Sequence, residues 1–589
     1  MRYSVSLVLR TLVAALVIGV STQAFAGSPY VNFLKSGRVP PERMGAVLSL
    51  IAKNGDADDL AYLLEQATKK DGFPATVKPL ALDALLEAAT TRNLKPSGDV
   101  GVLKELLADR APEHAAARAA ALRLVGLWKV EAAAQDIAAL LSDKSTTPAL
   151  RQQALTALGQ IGGKTAEETF VKLAAPGNPI DARVLAVAGL AQVDTAKATP
   201  LAVAVLADLA GEDNPAPLVD AFLAQKEGAA QLATAIASAK VPADAAKLAL
   251  RHMYSVGRAD EGLVEALSKA AGITTDVEPP TPEQLQKLVA EATAKGDARR
   301  GELLFRRADL SCLKCHAVSG AGGNIGPDLS ALGQSSPVDY VITSILTPEL
   351  SVKEEYQLAK VLTSEGRLHV GIVVEDNADR IVLKDGEGKR LTIPKDGEEE
   401  VIRGGSLMPK GLANFLTHGE FLDLVKFVSV LGKPGEYAVR SQPTVQRWRL
   451  LAPTPDKPSR EVPNEQVFHD EILGSENWQP AYATVAGSLP LAELTKLAGA
   501  GTIFVQSEID VTTAGNVAIN FSGAPGGITA WLGDKPLVLI EDKATAAVET
   551  GVQKLTLRVD TAQRDATDLK VLVQPGAESP AEYTVVGGP

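Results

Sequence analysis

Cysteines, aromatic residues and long apolar runs are all scarce in this sequence of 589 residues. Two cysteines only three positions apart, Cys312 and Cys315, cannot form the disulfide framework of a small secreted domain, so we predict a chemical role for them. The balance of 46% hydrophobic and 22% charged residues excludes both a mostly disordered chain and a polytopic membrane protein. At roughly 150 residues per domain, the length predicts a globular protein of three to five domains.

Clusters of basic residues are missing as well. The 59 Lys and Arg residues are outnumbered by 71 Asp and Glu residues, which gives a net charge of -12. No run rich in Lys or Arg stands out, so the attraction that drives binding to phosphate backbones is absent. Nucleic acids are therefore not predicted partners.

The first 26 residues have the pattern of a secretory signal peptide. Arg2 and Arg10 flank the start of an apolar run over 12–20, and a small-x-small cleavage site ends at Ala26. Nine apolar residues are too few for a membrane anchor, which needs about 20. The arginines are not adjacent, so a twin-arginine signal is absent. We predict a periplasmic or secreted protein that is not an integral membrane protein after cleavage at residues 1–26.

Residues 27–273 are predicted to be helical throughout. Arg118, Arg151 and Arg183 each begin a segment with apolar or small residues at offsets of three, four, seven and eight, and they are spaced by 33 and 32 positions. These offsets form one apolar stripe on a helix, and the interval has the size of a helix pair. The pattern favours a HEAT-like α-solenoid serving as a scaffold, with a generic helical bundle as the alternative.

A proline-rich linker and a helix occupy residues 274–295 and lead to the sequence Cys312-Leu313-Lys314-Cys315-His316. This C-x-x-C-H order is typical of c-type haem attachment, in which both thiols bind the porphyrin covalently and the histidine binds iron. Three alternatives stay open, namely a thioredoxin-like dithiol, half of a zinc site and a simple disulfide.

The flanking residues resemble the class I cytochrome c pattern. A glycine and an aromatic residue, Gly301 and Phe305, precede the motif, and Pro327 follows it. The resemblance implies that the Pro327 carbonyl accepts a hydrogen bond from the ligand histidine, which would fix the ring and strengthen it as a donor. An ordinary turn proline is the alternative.

Met408 is the predicted sixth iron ligand. It lies in a polar loop that ends at Pro409 and precedes an apolar helix, a setting in which a packing methionine would be unusual. The class I family uses a loop methionine in this position. His369 and His418 compete for the same role.

A small β insert is predicted over residues 356–401, because apolar residues alternate there around a hairpin signal. His316 and Met408 are 92 positions apart, and without these 46 residues the spacing is a compact 46. We therefore interpret the insert as an addition to a cytochrome core.

This combination resembles the haem-binding domain family of planctomycete and verrucomicrobial bacteria, in which a cytochrome c core is interrupted before a Ser-x-Met-Pro loop. The resemblance covers about 296–435 and implies a cytochrome domain over 296–440 with one covalent haem c, bound by Cys312, Cys315, His316 and Met408. In that family the domain often follows helical repeats and a β-propeller. The propeller is absent here, so intrinsic dehydrogenase activity is not implied.

After a linker over 441–463, residues 464–589 alternate with the period of strands and predict an antiparallel β-sandwich. The segment around Trp531 resembles jelly-roll modules of secreted glycan-active proteins. Trp478 and Trp531 could stack on sugars, although aromatic residues of a sandwich more often belong to the core.

The predicted fold class is thus an all-α solenoid, an α-helical cytochrome c domain with a β insert and a β-sandwich. We predict an electron carrier rather than an enzyme, docked by its flanking domains to a partner oxidoreductase such as a sugar or alcohol dehydrogenase. The alternatives are a peroxidase-like enzyme with an open iron site and a glycan-binding protein. Met408 discriminates between the first two, because a His/Met pair closes both axial positions of the iron.

Overall fold

A computed structural model describes residues 28–585 except 110, 144, 212, 275–277, 308, 387, 396, 398, 440–443, 524–525 and 565–567. The predicted signal peptide lies outside these residues. The chain divides into two compact units, one that ends at Ala271 and one that begins at Gly272. The first unit is helical, and the second combines helices with antiparallel sheets. Among the described helices, none has the length and apolar character needed to cross a membrane.

The first unit consists of helices that pack on their neighbours along the chain. Its described helices are α1 (Pro29–Lys35), α2 (Pro41–Asn54), α3 (Ala57–Thr68), α4 (Lys78–Arg92), α5 (Lys104–Ala108), α6 (Ala115–Leu127), α7 (Ala134–Ser142), α8 (Pro148–Ile161), α9 (Gly163–Ala174), α10 (Ile180–Val193), α11 (Thr195–Asp208), α12 (Ala216–Leu223), α13 (Gly228–Ala237), α14 (Ala243–Ser255) and α15 (Glu261–Ala271). Helices α4, α6, α8, α10 and α12 contact one another in that order, and α5, α7 and α9 do the same. Each helix therefore buries its apolar stripe against the preceding and following repeats.

The repeated arginines connect successive helices. Arg151 donates to the carbonyl of Leu141 (3.0 Å), and Arg183 donates to the carbonyl of Ala174 (3.1 Å). Arg118 makes the equivalent bond just beyond the end of α5. Because the last carbonyls of a helix have no partner within it, a guanidinium from the next helix satisfies them. The arginine of the repeat is thus a helix cap supplied by the following helix.

The first part of the second unit, up to residue 439, contains six described α-helices. They are α16 (Pro282–Lys295), α17 (Ala298–Phe305), α18 (Cys312–Cys315), α19 (Leu332–Ser335), α20 (Val338–Leu346) and α21 (His418–Val430). Helix α17 crosses α21 at Gly301, where a Cβ would lie 2.0 Å from the carbonyl oxygen of Asp423. The rings of Phe305 and Phe427 pack next to this crossing, with centroids 5.5 Å apart. The glycine permits an approach that no larger residue would allow.

A hairpin and a five-stranded sheet lie between these helices. The strands are β1 (Ala317–Val318), β2 (Ala321–Gly322), β3 (Leu358–Leu362), β4 (Leu368–Asp376), β5 (Arg380–Lys384), β6 (Arg390–Pro394) and β7 (Glu400–Arg403). Strands β3 to β7 form an antiparallel sheet in the order β6-β5-β4-β3-β7 around a small core that includes Val361, Leu383 and Ile393. The sheet occupies the predicted insert and extends two residues beyond it.

The C-terminal part contains two antiparallel sheets that share one core. Its elements are β8 (Arg447–Leu451), α22 (Asp456–Arg460), α23 (Glu465–Val467), β9 (Trp478–Tyr482), β10 (Ser488–Pro490), α24 (Leu491–Ala498), β11 (Thr502–Thr513), β12 (Gly515–Ser522), β13 (Ile528–Leu532), β14 (Lys535–Pro536), β15 (Lys543–Val548), β16 (Gly551–Asp560), β17 (Asp568–Pro575) and β18 (Glu582–Thr584). The sheet orders are β10-β17-β12-β15 and β14-β13-β16-β11-β8-β9, with β18 on β11.

The predicted linker over 441–463 differs from the structure, because β8 within it is a strand of the larger sheet. Trp448 and Leu450 of this strand are buried in the shared core. Arg447 and Arg449 alternate with them and give the segment the polar appearance of a linker. Trp531 is also buried and stacks on Phe468, with ring centroids 4.4 Å apart. It therefore belongs to the core and does not form an exposed platform.

Candidate functional site

The C-x-x-C-H motif forms one helical turn followed by an extended residue. Helix α18 begins at Cys312, directly after Ser311 in the left-handed conformation, and the amide of His316 donates to the carbonyl of Cys312 (2.9 Å). Cys312 and Cys315 are both free thiols. This turn brings the two thiols and the imidazole to the wall of one cavity.

The imidazole of His316 is fixed by the backbone around Pro327. Its Nδ1 lies 2.9 Å from the Pro327 carbonyl oxygen, which can only accept a hydrogen bond. The proton must therefore be on Nδ1, which leaves the lone pair of Nε2 free to bind a metal ion. Gly326 packs against the ring, because a Cβ there would lie 2.7 Å from Cε1. Burial also lowers the pKa of His316, so the ring is held as a neutral, oriented base.

The loop after the motif folds back on it through backbone hydrogen bonds. Gly323 donates to the carbonyl of Leu313 (2.8 Å), and Gly326 donates to the carbonyl of Cys315 (2.8 Å). Strands β1 and β2 pair within this loop. These bonds fix the segment before Pro327 against the motif, so the Pro327 carbonyl is held next to the His316 ring.

A cavity of about 470 Å³ adjoins the motif. Its size lies in the range of roughly 300–1,000 Å³ that small-molecule and cofactor sites occupy. All five predicted site residues, Cys312, Cys315, His316, Pro327 and Met408, line it. The apolar part of the wall is formed by Phe305, Leu310, Ile325, Leu329, Leu332, Val341, Ile345, Val352, Ile372, Leu407, Leu412, Leu416, Leu424 and Val428. Segments far apart in the sequence thus converge on one mainly apolar space.

Neither competing histidine is part of the cavity wall. His369 lies in β4 opposite Val361 of the insert. His418 begins α21 and places its Nε2 3.0 Å from a carboxylate oxygen of Glu291. Within the described residues, Met408 is the one methionine or histidine besides His316 that lines the cavity.

The loop that carries Met408 is fastened to the β insert. The amide of Gly404 donates to the carbonyl of Leu358 (2.8 Å), and the Leu358 amide donates to the carbonyl of Gly405 (3.2 Å). The Met408 amide then donates to Oγ of Ser406 (3.0 Å). Because β3 and β7 are neighbours in the sheet, the insert itself sets the point from which the methionine loop departs.

The insert also supplies part of the cavity wall through Tyr356, Ile372 and Gly386. Our interpretation of the insert as a mere addition to the core therefore has to be corrected. The alternation of its residues revealed the strands, but Ile372 of β4 and Gly386 of the β5–β6 turn line a space whose other walls are distant in sequence, and no local pattern carries that information.

The environment of the cysteines bears on the alternatives to haem attachment. Burial raises the pKa of Cys312 to about 12, and it also raises the pKa of Cys315. A reactive dithiol depends on a lowered thiol pKa, so the site lacks the property that a thioredoxin-like motif needs. In the part of the chain that is described, no group of three or more His, Cys, Asp or Glu side chains is arranged to hold a metal ion.

A short segment contributes polar groups to the otherwise apolar wall. Tyr340 and Ser344 lie one turn apart on α20, Lys353 follows before the insert, and Tyr356 is the first residue of the insert. Among the described residues, the buried hydroxyl oxygen of Ser344 has no hydrogen-bond partner. Buried polar groups are normally satisfied, so this hydroxyl is available to a polar atom of a bound group. The sequence analysis missed these residues, although two hydroxyl groups four positions apart on an apolar helix are a usable signal.

The residues of the cavity fit a haem group. The apolar walls suit a porphyrin ring, and the hydroxyl and ammonium groups of the α20 segment suit its propionate carboxylates. Paired thiols, a neutral imidazole and a thioether are the groups that c-type attachment and axial ligation use. No family model matches the chain, and a search of curated proteins found no significant match. The resemblance to cytochromes therefore depends on the residues described above.

Proposed function

We propose that this protein is a monohaem c-type cytochrome that transfers single electrons in the periplasm or outside the cell. One observation carries the proposal: a single cavity is lined by both cysteines, by an imidazole whose Nδ1–H is held by the Pro327 carbonyl, and by Met408. In this proposal residues 296–440 are a cytochrome c domain, the first unit is a HEAT-like solenoid, and the C-terminal sheets form a β-sandwich.

The two thiols, the imidazole, the thioether and the apolar wall of the cavity each have a task in the proposed function. The thiols of Cys312 and Cys315 would add across the vinyl groups of haem, so that the cofactor cannot dissociate. Nε2 of His316 and the thioether of Met408 would both bind the iron. When bound, haem supplies an iron that accepts and returns one electron. The apolar wall excludes water, and a soft sulfur donor favours the reduced iron.

The partner is proposed to be an oxidoreductase such as a sugar or alcohol dehydrogenase. The helical unit, built from repeated helix pairs, is the kind of scaffold on which proteins dock. Glycan contact by the C-terminal sheets has little support, because Trp531 is buried against Phe468 and the indole nitrogen of Trp478 donates to the carbonyl of Ile472 (3.2 Å).

The decisive experiment starts with the full chain matured in a host that assembles c-type cytochromes. We expect haem to stay with the polypeptide after denaturation, and we expect a potentiometric titration that follows a one-electron curve. The iron should react slowly with cyanide, because His316 and Met408 would both be bound to it. A protein without covalent haem would contradict the proposal.

Replacement of Met408 tests the electron-carrier function against a peroxidase-like one. Met408→Ala should lower the reduction potential by a fraction of the roughly 0.8 V range that axial ligands span, and it should speed cyanide binding. His418→Ala is the matched control and should change neither, because His418 contacts Glu291 and does not line the cavity. If the unmodified protein already binds cyanide rapidly and Met408→Ala has no effect, the open-iron alternative is correct.

A further inference from the structure

The C-terminal sheets contact the loop that follows the C-x-x-C-H motif. Arg447, the first residue of β8, donates from Nε to the carbonyl of Gly320 (2.7 Å) and from Nη2 to the carbonyl of Gly322 (2.9 Å). These carbonyls belong to the β1–β2 hairpin that begins directly after His316. Arg447 is separated from this hairpin by about 125 positions of sequence, so the contact is a tertiary one that joins the sheets to the motif loop.

The geometry of the hairpin makes this contact specific. Ser319 and Gly320 both have positive φ, as the tight turns of two-residue hairpins require. The planar fork of one guanidinium binds a carbonyl of this turn, that of Gly320, and a carbonyl of β2, that of Gly322, at once. A lysine ammonium at the same place would not do this with the same geometry.

A second contact joins the C-terminal sheets to the end of α17, next to the cavity wall. Arg306 directly follows Phe305 of the cavity wall, and its guanidinium donates to the carbonyls of Tyr482 (2.6 Å) and Ala483 (3.0 Å) next to β9. The amide of Val485 donates to the buried carboxylate of Glu302 (2.6 Å). Strands β8 and β9 are adjacent in one sheet. Strand β8 contacts the motif hairpin, and β9 contacts the residue that follows α17.

We propose that the C-terminal sheets are a structural part of the haem site, and that Arg447 is a positioning residue that holds the β1–β2 hairpin and, through it, the His316–Pro327 pair. The inference deepens the proposed function. It also changes the role of the C-terminal sheets from a separate docking module to a support of the haem environment. The positive charge of Arg447 next to the motif loop would in addition raise the reduction potential, because a cation disfavours the more positive Fe(III) state.

Three variants of the full chain test the inference: Arg447→Ala, Arg447→Lys and the control Arg449→Ala. Arg449 lies on the same side of the same strand, two positions away, and is also half-buried, but among the described hydrogen bonds it donates none to the hairpin. In the haem-free chain, amide hydrogen exchange over 317–329 should be roughly tenfold faster in Arg447→Ala, because a charge-assisted contact of the loop is lost. Exchange in β11 and β16 should stay unchanged, and Arg449→Ala should match the unmodified chain.

In the matured protein, Arg447→Ala should lower the reduction potential, and Arg447→Lys should restore part of it by returning the charge. Loop exchange that is equal in Arg447→Ala and Arg449→Ala would overturn the inference. So would faster exchange throughout the sheets, since Arg447 would then only stabilise the sandwich. If the loop responds as expected but the unmodified protein carries no covalent haem, the positioning role stands and the proposed function fails.

Discussion

The two units of this chain use arginine in opposite ways. In the helical unit, Arg118, Arg151 and Arg183 make the same bond to the end of the preceding helix, once in each repeat. In the second unit, Arg306 and Arg447 each make contacts that occur once and that join segments more than 100 positions apart. The first arrangement recurs from one repeat to the next, whereas the second occurs next to the cavity.

This difference predicts where a substitution has a chemical consequence. Loss of a repeated contact weakens one helical repeat and leaves atoms elsewhere in place. Loss of a contact next to the cavity changes the surroundings of the C-x-x-C-H motif. We therefore expect changes in the helical unit to affect stability alone, and changes around the cavity to affect haem attachment and potential.

The largest effect is expected from Cys312→Ala/Cys315→Ala. This double variant removes both attachment points, so covalent haem should be lost completely, because no other cysteine exists in the chain. Haem staining of the denatured protein after maturation measures this. The helical unit should keep its circular dichroism signal. Retention of covalent haem in the double variant would mean that the motif is not the attachment site.

Deletion of the insert should have the next largest effect. Removal of Gln357 to Glu400 with a short glycine-rich closure takes away Ile372 and Gly386 of the cavity wall and the strand residue Leu358 that holds the methionine loop. We expect the His/Met spectrum to be lost even if haem is attached. Shortening only the β3–β4 turn at 364–366, which does not line the cavity, is the control and should leave the spectrum intact. A normal spectrum after the full deletion would show that the insert is separable.

A repeat arginine should give a smaller effect that is confined to stability. Arg151→Ala leaves the carbonyls of Leu141, Asp143 and Thr146 without their guanidinium partner. We expect a loss of roughly 1–3 kcal/mol in the free energy of unfolding of the helical unit, measured by urea titration, and no change in haem content. Arg123→Ala removes only a partly exposed ion pair with Asp83 and should cost well under about 1 kcal/mol. Equal losses in both variants would contradict the capping role.

The smallest effect concerns the buried carboxylate at the junction between α17 and the C-terminal sheets. Burial raises the pKa of Glu302 above its ordinary value, so the folded state binds its proton more tightly than the unfolded state. The protein therefore loses stability as pH rises from the ordinary pKa of a glutamate through the raised one. Glu302→Gln cannot lose a proton, and its advantage over the unmodified protein should grow across this window.

Urea unfolding at pH 5 and pH 8 measures this difference. Tryptophan fluorescence reports on the second unit, because three of the four tryptophans lie there. Glu265→Gln, at an exposed position of the helical unit, is the control and should leave the unfolding of the second unit unchanged at both pH values. An advantage of Glu302→Gln that is the same at both pH values would mean that Glu302 titrates normally.

Local patterns in the sequence predicted the helical repeats, three strands of the insert and five residues of the cavity wall. The repeat interval was visible because the same contacts recur, and Cys312, Cys315, His316, Pro327 and Met408 all line one cavity. The polar groups of α20 and the role of Arg447 were not predicted. Both depend on which distant segments meet, and β8 in particular has alternating arginines that resemble a linker until Trp448 is seen to be buried.

The position of Cys312 has a consequence for the order of events during biogenesis. Cys312 is half-buried and lines the cavity, with its Sγ 3.8 Å from the Leu310 carbonyl oxygen. An assembly enzyme that joins haem to this thiol would need access to it, and β8 and β9, which contact the motif loop and the end of α17, follow the motif in the chain. We therefore expect haem to be joined while the C-terminal sheets are still unfolded. The contact between Arg447 and the motif loop would then form last and end access to the cysteines.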